Sequence, residues 1–426
     1  MPLIHKFRFI DFILISIFYF FSNYLYFEVN PIVNYMYKMD LLFSIKLTII
    51  NYLFLIFIIV ILPIANILER NTFLVLIFSV LIPSFIISNH TSKGLWINFI
   101  LFISFVLIII CYNIFSKLKI SFAIKGYSVS NSFFYKFNFI LGLFFFLMFI
   151  LPKINNLSDF NILNTFENVY KIREDNKLTG IDAYLLNWTI SLIIPILISD
   201  FFTNRSFKSI VLAFLLIMTL FQFYAMKAHF FSFFLLLFFG YFLKNYFMIS
   251  RYIVYIFYFF IFLITILAGN LGFAFLDRFF YGIGLLNQNY FDFFNNHPYN
   301  FFYGSKLGFL ISDPNYNKGV GYIIDDYYFA SGGSNFSTGF LAAIFSEIGY
   351  FGLFFGILLT SLIITILKSL YSKSKELGYI IGIQMTFFIM NTPLNDMFLS
   401  YGFIFVIPIL FFLKKNGINY SEKLIN

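Results

Sequence analysis

The chain has 426 residues, of which 61% are hydrophobic, 24% aromatic and only 11% charged. A soluble domain carries about 25% charged residues, so this chain lacks the polar side chains needed to cover a globular surface. The composition excludes a soluble enzyme, and it also excludes disordered and fibrous chains. The net charge of +9 comes without a basic domain. It therefore indicates cytoplasmic loops rather than a nucleic-acid partner.

Long apolar runs predict an all-α integral membrane protein. A helix needs about 20 apolar residues to cross a bilayer. Runs of this kind occur near 9–27, 45–67, 71–89, 95–116, 133–151, 183–202, 206–225, 228–247, 251–273, 336–367, 376–391 and 397–413. They predict a polytopic helical bundle of about 12 transmembrane helices, forming a single transmembrane domain over 1–426. The first run follows Lys6 and Arg8 and lacks a small-residue cleavage site, so we interpret it as a span and not as a signal peptide.

The basic residues predict the orientation of this bundle. With both termini in the cytoplasm, 17 of the 28 Lys and Arg residues fall on the inner side. These are Lys6, Arg8, Arg70, Lys117, Lys119, Lys125, Lys136, Arg205, Lys208, Lys244, Arg251, Lys368, Lys373, Lys375, Lys414, Lys415 and Lys423. Short cytoplasmic loops are typically rich in such residues, which favours N-in/C-in. The two long connections, 152–182 and 274–335, then become extracytoplasmic loops.

The first long loop carries a dense group of charges. Arg173 offers a planar fork of donors suited to phosphate or carboxylate. Glu174 and Asp175 follow it and are candidates to accept a proton or the hydrogen bond of a sugar hydroxyl. The alternative interpretation is a solvated loop with local ion pairs.

The second long loop contains more candidates. Arg278 stands at a predicted membrane boundary, where a charge is costly without a partner or ligand. In the alternative interpretation Arg278 binds no ligand and pairs with its neighbour Asp277. His297 is a candidate general base because its ordinary pKa lies near neutrality. The alternative is an exposed loop histidine. Further polar candidates in this loop are Lys306, Asp326 and Asn335.

A short polar turn, Met226-Lys227-Ala228-His229, separates the seventh and eighth runs. In the predicted orientation Lys227 and His229 lie near the outer headgroups. Snorkelling is the alternative role for Lys227. Together with Arg173 and Arg278, Lys227 would suit an anionic ligand with a lipid tail, such as a lipid diphosphate.

A late segment combines polar residues with glycine. Thr338 and Gly339 begin it, and Glu347 falls inside the apolar run, where an acid is a functional candidate. Gly349, Gly352 and Gly356 follow, and glycines at this density typically serve helix packing. We find no Cys cluster, no metal-ligand spacing and no phosphate-binding loop, so we expect neither a metal nor a cofactor.

These patterns together resemble the O-antigen polymerase family, the polytopic oligosaccharide repeat-unit polymerases. The resemblance covers the architecture of most of the chain, and two motifs carry it locally. Asn335-Phe-Ser-Thr338-Gly339 followed by Glu347-Ile-Gly349-Tyr-Phe-Gly352 resembles the start of the family's late helix. Asp277-Arg278-Phe followed by His297-Pro298 and Gly304 resembles its second long loop. Some members have Gly eleven residues after Arg in both loops. Tyr184 and Asn289 occupy those positions here.

The resemblance implies glycosyl transfer at the outer face of the bacterial inner membrane. The substrate would be an undecaprenyl-diphosphate-linked oligosaccharide, and the growing glycan would pass to the non-reducing end of a new lipid-linked unit. Arg278 would act at the diphosphate, and His297, Glu174 or Asp326 would take the acceptor proton. The implied substrate-binding residues are Arg173, Lys227, His229, Lys306, Asn335, Thr338 and Glu347. Membrane lipids, a chain-length regulator and a flippase of the same pathway would be the partners.

Two other functions remain open from the sequence. An O-antigen ligase uses a similar scaffold, although it usually has one dominant long loop. A lipid-linked oligosaccharide flippase also has about twelve spans, with cationic residues along a cavity at membrane depth. The strong charges of this chain lie in the predicted loops, which favours the polymerase.

Overall fold

The computed structural model describes residues 2–33, 43–63, 66–91, 94–118, 131–152, 168, 172, 180–276, 280–302, 316, 318–329 and 338–413. Of these residues, 89% are helical and none lies in a β-strand, which confirms the predicted all-α class for this part of the chain. The chain forms two compact units, which we describe separately. The first comprises Met1–Lys119, Arg251–Ile364 and Thr386–Met397, and the second comprises Ile120–Ser250, Thr365–Met385 and Phe398–Asn426.

The helices of the described residues are numbered here along the chain. In chain order they are α1 (Pro2–Val33), α2 (Ile45–Ile61), α3 (Ile67–Thr91), α4 (Leu95–Lys117), α5 (Asn131–Ile150), α6 (Ile181–Asn204), α7 (Phe207–Tyr224), α8 (Lys227–Asn245), α9 (Phe247–Ser250), α10 (Ile253–Leu267), α11 (Gly269–Leu276), α12 (Gly282–Asn296), α13 (Val320–Ile324), α14 (Phe340–Lys373), α15 (Lys375–Asn391), α16 (Leu394–Leu399) and α17 (Val406–Phe412).

Among the described residues, seven helices are long and apolar enough to cross a membrane. They are α3, α4, α5, α6, α7, α14 and the Arg8–Phe27 part of α1. Three shorter apolar helices are Ile45–Ile61, His229–Asn245 and Ile253–Leu267. These lengths and compositions are those of a membrane protein. The predicted number of twelve spans and the predicted N-in/C-in orientation stay predictions.

The outward faces of α1 and α2 are apolar. Phe9, Ile17 and Phe27 of α1 have exposed fractions of 63%, 51% and 53%, and Ile49 and Leu53 of α2 are similarly exposed. In water, exposed helix positions are normally polar, because only the core-facing stripe is apolar. Large apolar side chains on both faces instead suit a helix that packs against protein on one side and against lipid on the other.

Helix α3 lies at the centre of the first unit, and its whole membrane-length segment is buried. It widens into a π-turn at Ile77–Leu81, just before Pro83. Proline lacks an N–H and collides with the carbonyl four residues earlier, so a local widening of the helix relieves this conflict. The helix thereby continues to Thr91 with a proline in its interior.

Helix α12 packs directly on α3. A methyl group at Gly284 would come within 2.7 Å of the Ser84 backbone nitrogen, so only glycine allows this approach of the two backbones. Helix α12 falls within 274–335, which the sequence predicts to be the second long extracytoplasmic loop, and its side of the membrane stays a prediction. Its hydropathy is low because it carries Asn287, Gln288 and Asn289, yet all three side chains are buried. Asn287 and Gln288 form hydrogen bonds with other buried residues of the first unit.

Helix α14 begins at Phe340 and ends at Lys373, whereas the sequence predicted a span over 336–367. Two residues inside it, Ile348 and Gly349, have non-helical backbone angles and break it after its second turn. Gly349 has φ +64°, a region that side chains with a Cβ rarely adopt. Glu347 lies directly before this break, and its side chain contacts the segment that follows α12, as described below.

In the second unit, α5, α6, α7 and α8 pack against one another. The ring of Phe202 on α6 fills the space that a Cβ on Gly240 of α8 would occupy. Asp200 accepts hydrogen bonds from Asn204 Nδ2 (2.6 Å) and from the Ser209 hydroxyl, which joins α6 to α7 around the left-handed turn at Arg205. These bonds satisfy an acid that the sequence places next to a span.

Candidate functional site

The candidate site lies in the first unit, where α12 ends. Helix α12 carries Asp292 and Phe293 in its last turn and stops at His297, whose backbone is extended (φ −130°, ψ 161°). Pro298 follows, and the residue before a proline is disfavoured in the helical region. The sequence therefore places a histidine at the end of a helix, held by the helix itself.

His297 is fixed by two contacts with its own helix. Its ring stacks on Phe293, with centroids 4.1 Å apart and planes 6° apart. Its Nδ1 lies 2.9 Å from the carbonyl oxygen of Phe293. Since a carbonyl only accepts, Nδ1 carries the hydrogen and donates. In the neutral ring, Nε2 is then the nitrogen with a free lone pair, as a general base requires.

Beside His297 lies an open pocket of about 340 Å³, which we call the aromatic pocket. It is lined by Phe293, Tyr316, Lys318, Ile323, Asp326 and Tyr327. Tyr327 also meets His297, with ring centroids 5.5 Å apart. Lys318 Nζ donates to Asp326 Oδ2 over 2.7 Å at the rim. Of the residues predicted from the sequence, Asp326 therefore lines this pocket, and His297 contacts two of the residues that line it, Phe293 and Tyr327.

Tyr328, next to this pocket, binds Asp292. Its hydroxyl donates to Asp292 Oδ2 over 2.9 Å. Burial, and then the negative charge of Asp292, raise the pKa of Tyr328 above its ordinary value. The phenol therefore stays protonated and keeps donating into the alkaline range, which ties α13 and its continuation to α12.

The segment after His297 is anchored by Glu347. Its carboxylate Oε2 accepts from Asn300 Nδ2 (3.2 Å) and from the backbone N–H of Phe302. The backbones join as well, since Asn300 N donates to Ser346 O (2.9 Å) and Phe301 N to Glu347 O (3.0 Å). The predicted substrate-binding role of Glu347 stays a prediction, while its described contacts position the chain that follows His297.

Backbone strain is concentrated at this anchor. Phe301 and Phe302 have φ of +51° and +65°, unusual for large side chains. Across from them, a Cβ on Gly349 would overlap the ring of Tyr299. Strain of this kind costs about 1–3 kcal/mol per residue and persists where surrounding contacts over-determine the geometry. The bonds to Glu347 and Ser346 supply those contacts.

Thr338 connects the site to a buried polar network. Its hydroxyl donates to Asn287 Oδ1 (2.7 Å), and Asn287 Nδ2 donates to the Ser84 hydroxyl (3.1 Å). Next on α12, Gln288 Nε2 donates to Ser84 O (3.2 Å) and to Asn98 Oδ1 (2.8 Å). In its described contacts, Thr338 is therefore a buried residue that joins the start of α14 to α12.

The network continues through α4, α2 and α3 to α1. Asn98 donates to Asn51 Oδ1 (3.0 Å), Asn51 to Asn89 Oδ1 (2.8 Å), and Asn89 to Asn23 Oδ1 and the Tyr19 hydroxyl (2.8 Å each). Buried amides of this kind join neighbouring helices in an apolar medium. None of these amides was predicted from the sequence to be a partner of another. The detectable signal was single Asn residues inside otherwise apolar runs.

A second missed feature is a buried ion pair. Arg70 forms a salt bridge with Asp11, and the Tyr255 hydroxyl donates to Asp11 Oδ1 (3.0 Å). The exposed fractions of Arg70 and Asp11 are 2% and 1%. From the sequence, Arg70 is expected on the inner side, between two spans, and that side stays a prediction. In the structure α3 begins three residues earlier, and the guanidinium is buried against α1 and α10.

Among the remaining predicted site residues, the structure describes the side chain of His229 alone. Arg173, Glu174, Arg278, Lys306 and Asn335, and the side chain of Lys227, lie outside the described part of the chain. His229 lies in the first turn of α8 in the second unit, where its carbonyl accepts from the Ser232 hydroxyl (2.8 Å). Within the described residues, no group of three or more His, Cys, Asp or Glu side chains is arranged to hold a metal ion.

Comparisons with known proteins leave the site to be interpreted from its own geometry: no family model, no curated protein and no solved structure matches this chain.

Proposed function

We propose that this protein is a polymerase of lipid-linked oligosaccharide repeat units, acting at the outer face of the bacterial inner membrane with twelve spans and both termini inside. The observation that carries the proposal is the contact of His297 Nδ1 with the Phe293 carbonyl, which leaves Nε2 as the nitrogen able to accept a proton. The ring contacts two residues that line the aromatic pocket, and it belongs to the segment that the sequence assigns to the second outer loop. The resemblance of Asp277-Arg278 and Thr338-Gly339 to the polymerase family supports the same function.

In the proposed reaction, a hydroxyl of the incoming lipid-linked unit attacks the anomeric carbon of the growing glycan. A carbon–oxygen bond forms there, and the bond from that carbon to undecaprenyl diphosphate breaks. His297 Nε2 takes the hydroxyl proton, and the diphosphate leaves with the bonding electron pair. Arg278, Arg173 and Lys227 are proposed to stabilise that developing negative charge, which is the largest catalytic term in many enzymes.

A deletion strain tests this function. Loss of a polymerase leaves single repeat units on the cell surface, whereas loss of a ligase or a flippase removes surface glycan altogether. We expect single-unit glycan, and a plasmid copy restores the ladder of longer chains. Absence of surface glycan in the deletion strain contradicts the polymerase.

Arg278 is the most sensitive residue in this proposal. Arg278→Ala abolishes the ladder at normal protein level, and Arg278→Lys restores it only in part, because an ammonium lacks the bidentate fork. Glycan ladders on gels, with immunoblots of membrane fractions, provide the measurement. Full-length ladders in Arg278→Ala cells contradict this assignment.

One observation favours a flippase as the second candidate. Arg70 is a cation within a membrane-length helix, which a transporter of anionic lipids requires. However, Arg70 is fully buried and already paired with Asp11. A charge so enclosed is better suited to holding α1, α3 and α10 together than to binding a passing substrate.

A further inference from the structure

We propose that the aromatic pocket binds a neutral sugar residue of the acceptor glycan. That the sugar belongs to an acceptor rests on the proposed polymerase function, while the affinity of the pocket for neutral sugar follows from its own walls. The abundance of aromatic residues in this chain carries no such implication, since 24% of all residues are aromatic. The proposal rests on how the rings of Phe293, Tyr316 and Tyr327 and the charges of Lys318 and Asp326 are arranged around the pocket.

The walls of the pocket are aromatic faces set at steep angles. Phe293 and Tyr327 meet edge to face, with centroids 5.0 Å apart and planes 73° apart. Phe293 and Tyr316 lie 6.3 Å apart at 48°. The C–H face of a pyranose ring presents a weakly positive surface to the negative face of such rings. Tyr327, which is 60% exposed, supplies a platform of this kind.

The rim provides one donor group and one acceptor group. Lys318 and Asp326 have exposed side-chain fractions of 58% and 51% and form an ion pair. An exposed pair of this type contributes little to stability, so sugar hydroxyls replace it at little cost. Because the two charges cancel, the pocket offers hydrogen bonds without net charge. This favours a neutral sugar over a uronic acid or a phosphate.

The walls are held in place by contacts outside the pocket. The Tyr316 hydroxyl donates to Pro298 O (2.7 Å), Tyr328 donates to Asp292, and the His297 ring stacks on Phe293. A site ordered before binding loses less entropy when the ligand arrives. The volume of about 340 Å³ lies at the lower end of the range of ligand pockets, which suits a short saccharide.

The test measures glycoside binding to the full-length protein in nanodiscs by saturation-transfer NMR. The probes are methyl glycosides of glucose, galactose, mannose and N-acetylglucosamine, with methyl glucuronide and inorganic phosphate for comparison. We expect a signal from at least one neutral glycoside. Tyr327→Ala should weaken that binding at least fivefold. The matched control is Tyr322→Ala, which removes an exposed tyrosine of α13 that does not line the pocket, and it should leave binding unchanged.

A charge variant examines the selectivity. Asp326→Asn leaves Lys318 without its partner and should raise the affinity for methyl glucuronide relative to the neutral glycosides. The inference is overturned if no neutral glycoside binds, if glucuronide or phosphate binds best to the unaltered protein, or if Tyr327→Ala binds as well as Tyr322→Ala.

The two proposals fail separately. Binding that depends on Tyr327, in a protein whose deletion leaves surface ladders intact, overturns the polymerase and retains the sugar site. Single-unit glycan in the deletion strain, with binding unaffected by Tyr327→Ala, retains the polymerase and overturns the sugar site.

Discussion

The two ring nitrogens of His297 have different surroundings, and that difference sets its chemistry. Nδ1 donates to the carbonyl of Phe293, so its hydrogen is committed. Nε2 is then the ring nitrogen that can accept a proton, as the proposed reaction requires. The sequence identified His297 as a candidate base from its residue type alone. The tautomer required the position of the carbonyl one helical turn earlier.

Replacing His297 separates a catalytic role from a structural one. His297→Ala should reduce polymer formation by on the order of 100-fold, the usual contribution of a positioned general base. His297→Asn should be equally impaired, because its amide retains a donor for the Phe293 carbonyl but does not take up a proton. The measurement is incorporation of radiolabelled repeat units in membrane vesicles. Restored activity in His297→Asn would show that only the hydrogen bond matters.

Glu347 offers a comparable separation. Both donors, Asn300 Nδ2 and Phe302 N, reach one carboxylate oxygen, which glutamine reproduces with its carbonyl. Glu347→Gln should therefore keep most of the activity. Glu347→Ala leaves two buried donors without a partner, at about 1–3 kcal/mol each, and should lower both the thermal midpoint and the activity.

The two readouts distinguish the roles of Glu347. Thermal midpoints come from heating the detergent-solubilised protein and measuring what stays monodisperse. If Glu347 also binds substrate through its charge, Glu347→Gln loses as much activity as Glu347→Ala while its own midpoint stays unchanged.

At the scale of elements, the first unit is held by amides as well as by apolar packing. The network from Thr338 to Tyr19 links α12, α3, α4, α2 and α1. Asn287 in it binds the hydroxyls of Thr338 and Ser84, and Gln288, Asn98, Asn51, Asn89 and Asn23 bind one another in sequence. Such networks specify one arrangement of helices, because any shift leaves polar groups unpaired in an apolar medium. They explain how α12, with its low hydropathy, packs against a membrane-length helix.

Asn51 occupies the middle of this network and is completely buried. Asn51→Ala removes the partner of both Asn89 and Asn98, and should destabilise the unit by about 1–2 kcal/mol. The matched control is Asn245→Ala, at the exposed end of α8, which should have no effect. Thermal midpoints in detergent should fall by about 2–4 °C for the first variant alone. Equal midpoints for the two variants would mean that the network does not stabilise the unit.

At the scale of the whole molecule, the orientation of the chain in the membrane determines whether the aromatic pocket lies on the outer side, where the proposed reaction takes place. In the predicted N-in/C-in arrangement Lys318 is extracytoplasmic, and Lys208, exposed at the start of α7, is cytoplasmic. The chain has a single cysteine, Cys111, so a cysteine-free background needs only Cys111→Ser. This makes orientation straightforward to measure by labelling.

A membrane-impermeant maleimide should label Lys318→Cys in spheroplasts, and should label Lys208→Cys only after the membrane is permeabilised. Each variant serves as the control of the other, since both positions are exposed in the structure. The reverse pattern would place the aromatic pocket in the cytoplasm. Glycosyl transfer at the outer face would then be untenable.

The sequence by itself determined the class of protein and most of its helices, because the apolar length that a bilayer requires is a local property. Long apolar runs predicted α4 and α5 to within a few residues, and the same argument excluded a soluble fold. It also singled out His297 and Asp326. Arg70, Asn51 and Asn98 were missed, because a polar residue in an apolar run gives no indication of its partner.

Only the tertiary structure decided what these residues contact. The tautomer of His297, the anchoring of the strained turn by Glu347 and the pairing of Arg70 with Asp11 all depend on which groups lie within about 3 Å. Such contacts join residues that are 4, 45 and 59 positions apart. Hydropathy averages over a local window, whereas hydrogen bonds and ion pairs depend on how the helices pack.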